Sequence, residues 1–249
     1  METIKIKLPR SYGELSDDRL YYLYSLFCEN LSSAQVKTFC LFKWGGLRVS
    51  MRYAGGYVVK HDGEEVFVTP QEVASVLNHL DWIDVPPVEP VRISRIGGAE
   101  AVDAEFQGVE FEKFLMCDNL YQSYLNRPDH RILADMAAIL YGVGGMRLNK
   151  AEKVNVFYWW TSLKSHLATH FPHFLQPSLG FYKDQDDMLL SQQPLARRLA
   201  AAMNAQIRAL TKGDVTKERE VLQIDTWRAL AELDALAHEA EELRKRYKK

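Results

Sequence analysis

The sequence predicts a mainly α fold of the α+β class: multi-helical, with one small antiparallel β-meander near residues 47–69 and a long C-terminal helix. Three observations carry this. Apolar residues recur at helical spacing from Leu20 to Trp44 and again from about residue 109 onward. Between those stretches the period drops to two, with Leu47, Val49, Met51 and Tyr53 alternating with Arg48, Ser50 and Arg52. The last segment, about 217–247, repeats in steps of three and four residues.

In chain order, Ile4, Ile6 and Leu8 alternate with polar residues and predict a short strand over 3–8, stopped by Pro9. Ser16 is a suitable N-cap, and Asp17 and Asp18 suit a helix N-terminus. Leu20, Leu23, Tyr24, Phe27, Cys28 and Leu31 follow as the buried stripe. A second helix starts near Ser33, places Val36, Phe39, Cys40 and Trp44 on one face and ends at Gly45-Gly46. Gly55-Gly56 and Asp62-Gly63 are the turns of the meander. Thr69-Pro70-Gln71-Glu72 is the clearest local signal in the chain. Thr69 is the N-cap, Pro70 takes the first helical position and Glu72 closes a capping box.

Pro86, Pro87 and Pro90 then impose an extended connector. Residues 97–112 read as a loop or a short edge strand. Phe111, Phe114, Leu115, Tyr121 and Leu125 mark one helix, and Ile132, Leu133, Met136 and Leu140 the next, with Pro128 between them. Asn149-Lys150-Ala151-Glu152 is a second capping box, opening a helix through Phe157, Trp160, Leu163 and Leu167 that Pro172 closes. Residues 173–193 are loop-like. Leu195, Leu199, Met203, Ile207 and Leu210 mark a further helix ended by Gly213. In the final segment Leu222, Thr226, Ala229, Leu233, Leu236, Ala240, Leu243 and Tyr247 form a coiled-coil-type seam. The connector thus separates a mixed α/β N-terminal part, 1–92, from an all-helical C-terminal part, 109–249. Whether these are two domains or one continuous domain is open at this level.

Composition excludes several classes. The chain has 249 residues, 47% hydrophobic and 26% charged, with a net charge of -2. This excludes intrinsic disorder, collagen, a disulfide scaffold and a generally basic nucleic-acid-coating protein. Cys28, Cys40 and Cys117 form no CxxC and no even framework, which points to a reducing compartment. The N-terminal residues lack a signal-peptide h-region, and no 18-residue apolar run exists. The expected place is the host-cell cytoplasm, with a virion as the further option, and no membrane.

P-loop, GxGxxG, GxSxG and HExxH signatures are absent, so no catalytic residue and no cofactor are expected. His166, His170 and His173 stand at spacings of four and three, but Pro172 breaks the helix between them, so no metal is expected. Asp184-Gln185-Asp186-Asp187 resembles the start of a calcium loop but lacks the following Gly and closing Glu. Gly142 to Arg147 follows a helix rather than a strand and reads as a helix–helix turn. The aromatic run Phe157 to Trp160 reads as core plus an interface rather than a stacking platform for single strands. Arg48, Arg52 and Lys60 on the hairpin suggest a DNA-binding wing. The helix at 69–83 carries Glu72, Asp81 and Asp84 and no Lys or Arg, which argues against nucleic acid.

The strongest pointer is the C-terminal seam. It either packs on the chain's own helices or presents an apolar strip to a partner protein or a second copy. The expected partner-binding residues are Leu233, Leu236, Ala240, Leu243 and Tyr247.

Certain strings carry a resemblance. They are Leu8-Pro9-Arg10-Ser11, Lys37-Thr38-Phe39, Leu80-Asp81-Trp82 with Pro86 to Arg92, Asp118-Asn119-Leu120-Tyr121, Arg208 to Asp214, and Trp227-Arg228-Ala229-Leu230. Together they resemble uncharacterised phage and prophage proteins of Bacteroidetes. The resemblance implies a virion-assembly role, such as a tail-assembly chaperone or a head–tail connector, and brings no catalytic or binding residue with it. The expectation is a non-enzymatic protein–protein interaction protein, and the alternative is a DNA-binding regulator using the hairpin as a wing.

Overall fold

The computed structural model describes residues 5–145, 147–175 and 194–247. The fold is α+β, mainly helical, with a small three-stranded antiparallel sheet and a long C-terminal helix. The chain divides into two compact units, Met1–Ile93 with Leu148–Tyr158, and Ser94–Arg147 with Trp159–Lys249.

In the first unit, α1 (Asp17–Phe27) starts where the Ser16 hydroxyl accepts the Arg19 N–H. Helix α2 (Ser33–Trp44) starts at a full capping box of Ser32 and Gln35. It ends at Gly45, where a Cβ would lie 2.9 Å from Ile6 Cγ2. Residues 5–8 form no regular secondary structure and join no sheet. The strand expected over 3–8 is therefore not formed in the described residues. Side-chain packing of Ile6 on Gly45, and the Pro9 carbonyl accepting Trp82 Nε1–H at 3.2 Å, hold the segment instead.

Strands β1 (Arg48–Tyr53), β2 (Gly56–His61) and β3 (Glu64–Val68) form the expected meander, ordered β1-β2-β3. The ladder slips at Ser50: Val49 pairs with Val59, but Met51 pairs with Val58. This β-bulge reverses the phase of the alternation. Val49 stays on the face of Val59, which is wholly buried. Met51 and Tyr53 turn to the opposite face with Val58 and Phe67, and the Tyr53 and Phe67 rings lie 6.4 Å apart. Strict period-two alternation predicts Val49, Met51 and Tyr53 on one side, and the bulge overturns this.

Helix α3 (Pro70–Leu77) has Pro70 in its first turn, and Thr69 and Glu72 form both bonds of the capping box. A 3-10 turn, Asn78–Asp84, follows. Leu20, Leu23, Tyr24, Cys40, Val59 and Leu80 are at most 1% exposed and form the centre of this unit. Tyr158 joins them, with its ring 5.6 Å from those of Tyr24 and Phe27. Asn155 is fully buried, and its side-chain oxygen accepts the Ile93 N–H at 2.8 Å.

The second unit opens with a two-residue hairpin, β4 (Arg95–Ile96) and β5 (Ala99–Glu100), turning through Gly97 and Gly98 at positive φ. Helices α4 (Phe111–Asn126) and α5 (His130–Leu140) pack together. Helix α6 (Lys150–His170) starts at the expected capping box: Glu152 N–H donates to Asn149 Oδ1 and Asn149 N–H to Glu152 Oε2. Its residues up to Tyr158 belong to the first unit and those from Trp159 to the second. Trp159 and Trp160 have no exposed surface, and Trp160 meets Phe106 and Phe114 at 5.4 and 5.7 Å. The aromatic run is therefore core on this side, not a stacking platform. The remaining described helices are α7 (Pro172–Leu175), α8 (Leu195–Thr211), α9 (Glu218–Gln223) and α10 (Thr226–Tyr247).

The seam expected as one helix over 217–247 is broken at Ile224-Asp225. Backbone hydrogen bonds explain the break. Phe111 N–H donates to the Ile224 carbonyl at 2.9 Å, and Thr226 donates to the Val109 carbonyl through its N–H at 2.8 Å and its hydroxyl at 2.7 Å. The chain at 224–226 thus pairs with 109–111 instead of continuing the helix.

Candidate interaction site on the C-terminal helix

Helix α10 starts on Asp225, whose carboxylate accepts the Arg228 N–H at 3.1 Å and the Gly108 N–H at 2.6 Å. Its first two turns belong to the core of the second unit. Thr226, Ala229 and Leu230 have no exposed surface and Leu233 is 3% exposed. Helices α4, α7 and α8 pack against it. Leu233, expected on the partner surface, is therefore a core residue and leaves that set.

Beyond Leu233 the same stripe emerges. Leu236 is half-buried, Ala240 is exposed, Leu243 is 52% exposed and Tyr247 is 89% exposed. At 3.6 residues per turn these four side chains fall within an arc of about 60°. Four of the five expected residues thus form one continuous strip on the terminal three turns.

A different face of α10 holds α7. The Asp234 carboxylate accepts the His173 and Phe174 N–H groups at 2.7 and 2.9 Å. His173 Nδ1 lies 3.3 Å from Glu241 Oε2, and the His173 and His238 rings are 4.3 Å apart. Asp234, His238 and Glu241 lie about 100–160° around the helix from Ala240. Docking of α7 therefore leaves the strip open. The last turn is basic, with Arg244, Lys245 and Arg246 complementing the helix dipole. A hydrogen bond from Lys245 holds the half-buried Glu242 carboxyl below its ordinary range and raises the lysine.

The other sequence candidates fall elsewhere. His166 and His170 lie 4.5 Å apart, and both meet the Trp227 ring. His173 is turned to α10 instead. No three His, Cys, Asp or Glu side chains gather as a metal site among the described residues. Asp184 to Asp187 lie outside the described residues. Gly142, at φ 68°, ends α5 in a turn. Burial pushes the Cys40 thiol up to about 12 and raises those of Cys28 and Cys117. Arg48 and Arg52 stand on opposite faces of the meander, because Arg48 pairs with Lys60 and Arg52 lies over the Tyr57 ring at 5.5 Å. No helix among the described residues is long and apolar enough to cross a membrane.

Sequence reasoning missed one surface. Met51, Tyr53 and Phe67 are 49%, 57% and 49% exposed on one face of the sheet. The bulge that brings them together leaves no sign in the alternation itself. Comparison with protein-family models, with curated proteins and with solved structures finds no match to this chain.

Proposed function

We propose that this chain is a non-enzymatic protein–protein interaction protein that captures a helix through the end of α10, in a virion-assembly setting of the tail-chaperone or connector kind. One observation carries the reading. The apolar stripe that packs α10 into its own unit continues for three turns past the last buried residue, as Leu236, Ala240, Leu243 and Tyr247. An apolar strip at a/d spacing is the surface that helix-in-groove and helix-pair recognition uses. The assembly setting follows from the phage resemblance of the sequence.

The test is a mild pull-down of the tagged full chain from its native host during prophage induction, with bound proteins identified by mass spectrometry. Stoichiometric tail or portal proteins are the expected catch, lost with Leu236→Asp and Leu243→Asp together. Retention of the same proteins by that double variant sinks the reading.

A further inference from the structure

We infer that the strip on α10 is covered by the same strip of a second copy, running antiparallel. This rests on the proposed use of α10 as an interaction surface and names its occupant. Three properties of the helix select the second copy and its direction.

The first is side-chain size. The strip reads Leu236, Ala240, Leu243, Tyr247, with large side chains around one small one. Antiparallel packing places position a of one helix beside position d of the other. Here Leu236 falls opposite Tyr247 of the second copy, and Ala240 opposite its Leu243. Every layer then pairs unequal side chains, and each Leu243 fills the space over an Ala240. Parallel packing in register would set Ala240 on Ala240 and leave a gap at the centre of the seam.

The second is charge. Acidic Glu239, Glu241 and Glu242 precede basic Arg244, Lys245 and Arg246 along the helix. A parallel pair would bring the two basic ends together. An antiparallel pair separates the two basic ends, sets residues 244–246 of each copy beside residues 237–239 of the other, where Glu239 is the acid, and opposes the helix dipoles. Glu239 and Arg246 occupy the flanking g positions, so each Glu239 faces Arg246 of the second copy. Both are exposed, and neither makes an ion pair among the described residues.

The third is space. Helix α7 sits on the Asp234, His238 and Glu241 face, so it does not occlude the seam. The overlap of residues 236–247 is about 18 Å long. That is short of the area a permanent dimer buries, so the pair forms by mass action.

Sedimentation velocity of the full chain over a wide concentration series tests this. The mean mass is expected to rise with concentration from 28.6 kDa toward twice that value. Glu239→Arg or Arg246→Glu alone is expected to weaken association about tenfold, and the two together in one chain to restore it. Circular dichroism of each variant checks that the helices are intact. Restoration by Arg244→Glu in place of Arg246→Glu overturns the antiparallel direction, because a parallel pair would join 239 to 244. A mass that stays at the monomer value throughout overturns the second copy as occupant. In that case the proposed function stands if the pull-down catch is lost in the Leu236→Asp, Leu243→Asp variant, and falls with it otherwise.

Discussion

Asp234 holds His173: its carboxylate, on α10, accepts the His173 backbone N–H at 2.7 Å and also the Phe174 N–H at 2.9 Å. A side chain of α10 thereby caps a four-residue helix that follows Phe171 in the chain. Such a helix has no internal route to satisfy its first N–H groups.

Replacing Asp234 by Ala should therefore release α7 from α10. The cost is about 1 kcal/mol, the usual value of a lost N-cap. Hydrogen exchange at residues 173–175 should rise in Asp234→Ala while the amides of α6 stay protected. Asp234→Asn keeps one acceptor and should recover part of the protection. Equal exchange in all three proteins would mean that α7 is held by packing alone.

Lys37 ties α2 to the 3-10 turn. Its ammonium lies 2.6 Å from Asp81 and 2.5 Å from Asp84, and the lysine side chain is only 9% exposed. Burial opposes its charge, but the hydrogen bonds with Asp81 and Asp84 outweigh it and hold the lysine above its ordinary value. Lys37→Met should cost about 1–2 kcal/mol, since both carboxylates remain partly solvated.

Acid should find the same contact. The hydrogen bond from Lys37, then that from Ser33, hold the Asp84 carboxyl below its ordinary 3.8. A depressed folded value stabilises the fold above the unfolded value, and the gain is lost as pH falls through the folded value. The first unit should thus weaken below about pH 4. The loss should be smaller in Lys37→Met, measured by denaturant unfolding at pH 3 and pH 6, and an unchanged acid loss in that variant would remove Asp84 as its source.

Local chemistry was legible where it is self-contained. Thr69 to Glu72 and Asn149 to Glu152 announce helix starts because cap and partner sit within four residues. The break before α10 is hidden in the sequence, although Asp225 is a good N-cap type, because the heptad spacing runs straight through it. What stops the helix there is a pairing with Val109 and Phe111, more than a hundred positions away. The bulge at Ser50 was invisible for a related reason: nothing in an alternating sequence says which residue the ladder skips. The seam itself was legible as a spacing. Where its buried part ends is set by the neighbouring helices, not by α10.

Asn155 shows the cost of a buried polar side chain that has found its partner. It is fully buried on α6, and it accepts the Ile93 N–H at 2.8 Å at the end of the proline-rich connector. Asn155→Leu removes that acceptor without opening a cavity. A loss of about 1–3 kcal/mol is expected from the backbone group left behind. Equilibrium unfolding followed by tryptophan fluorescence reads it. A neutral substitution would mean that water replaces the side chain.

The two leucines at either end of the emerging stripe separate core from surface. Leu233 is 3% exposed and Leu243 is 52% exposed, on the same line of the same helix. Leu233→Ala removes a packed side chain and should destabilise the second unit by about 2–5 kcal/mol. Leu243→Ala takes nothing from that core and should fall within about 0.5 kcal/mol of the parent. Thermal unfolding at low protein concentration, where any self-association is absent, compares them directly. If Leu243→Ala is as destabilising as Leu233→Ala, the terminal turns are packed within the chain itself and the strip is not a surface for capture. If only Leu233→Ala destabilises, the stripe changes role between these two residues, from holding the fold together to presenting it outward.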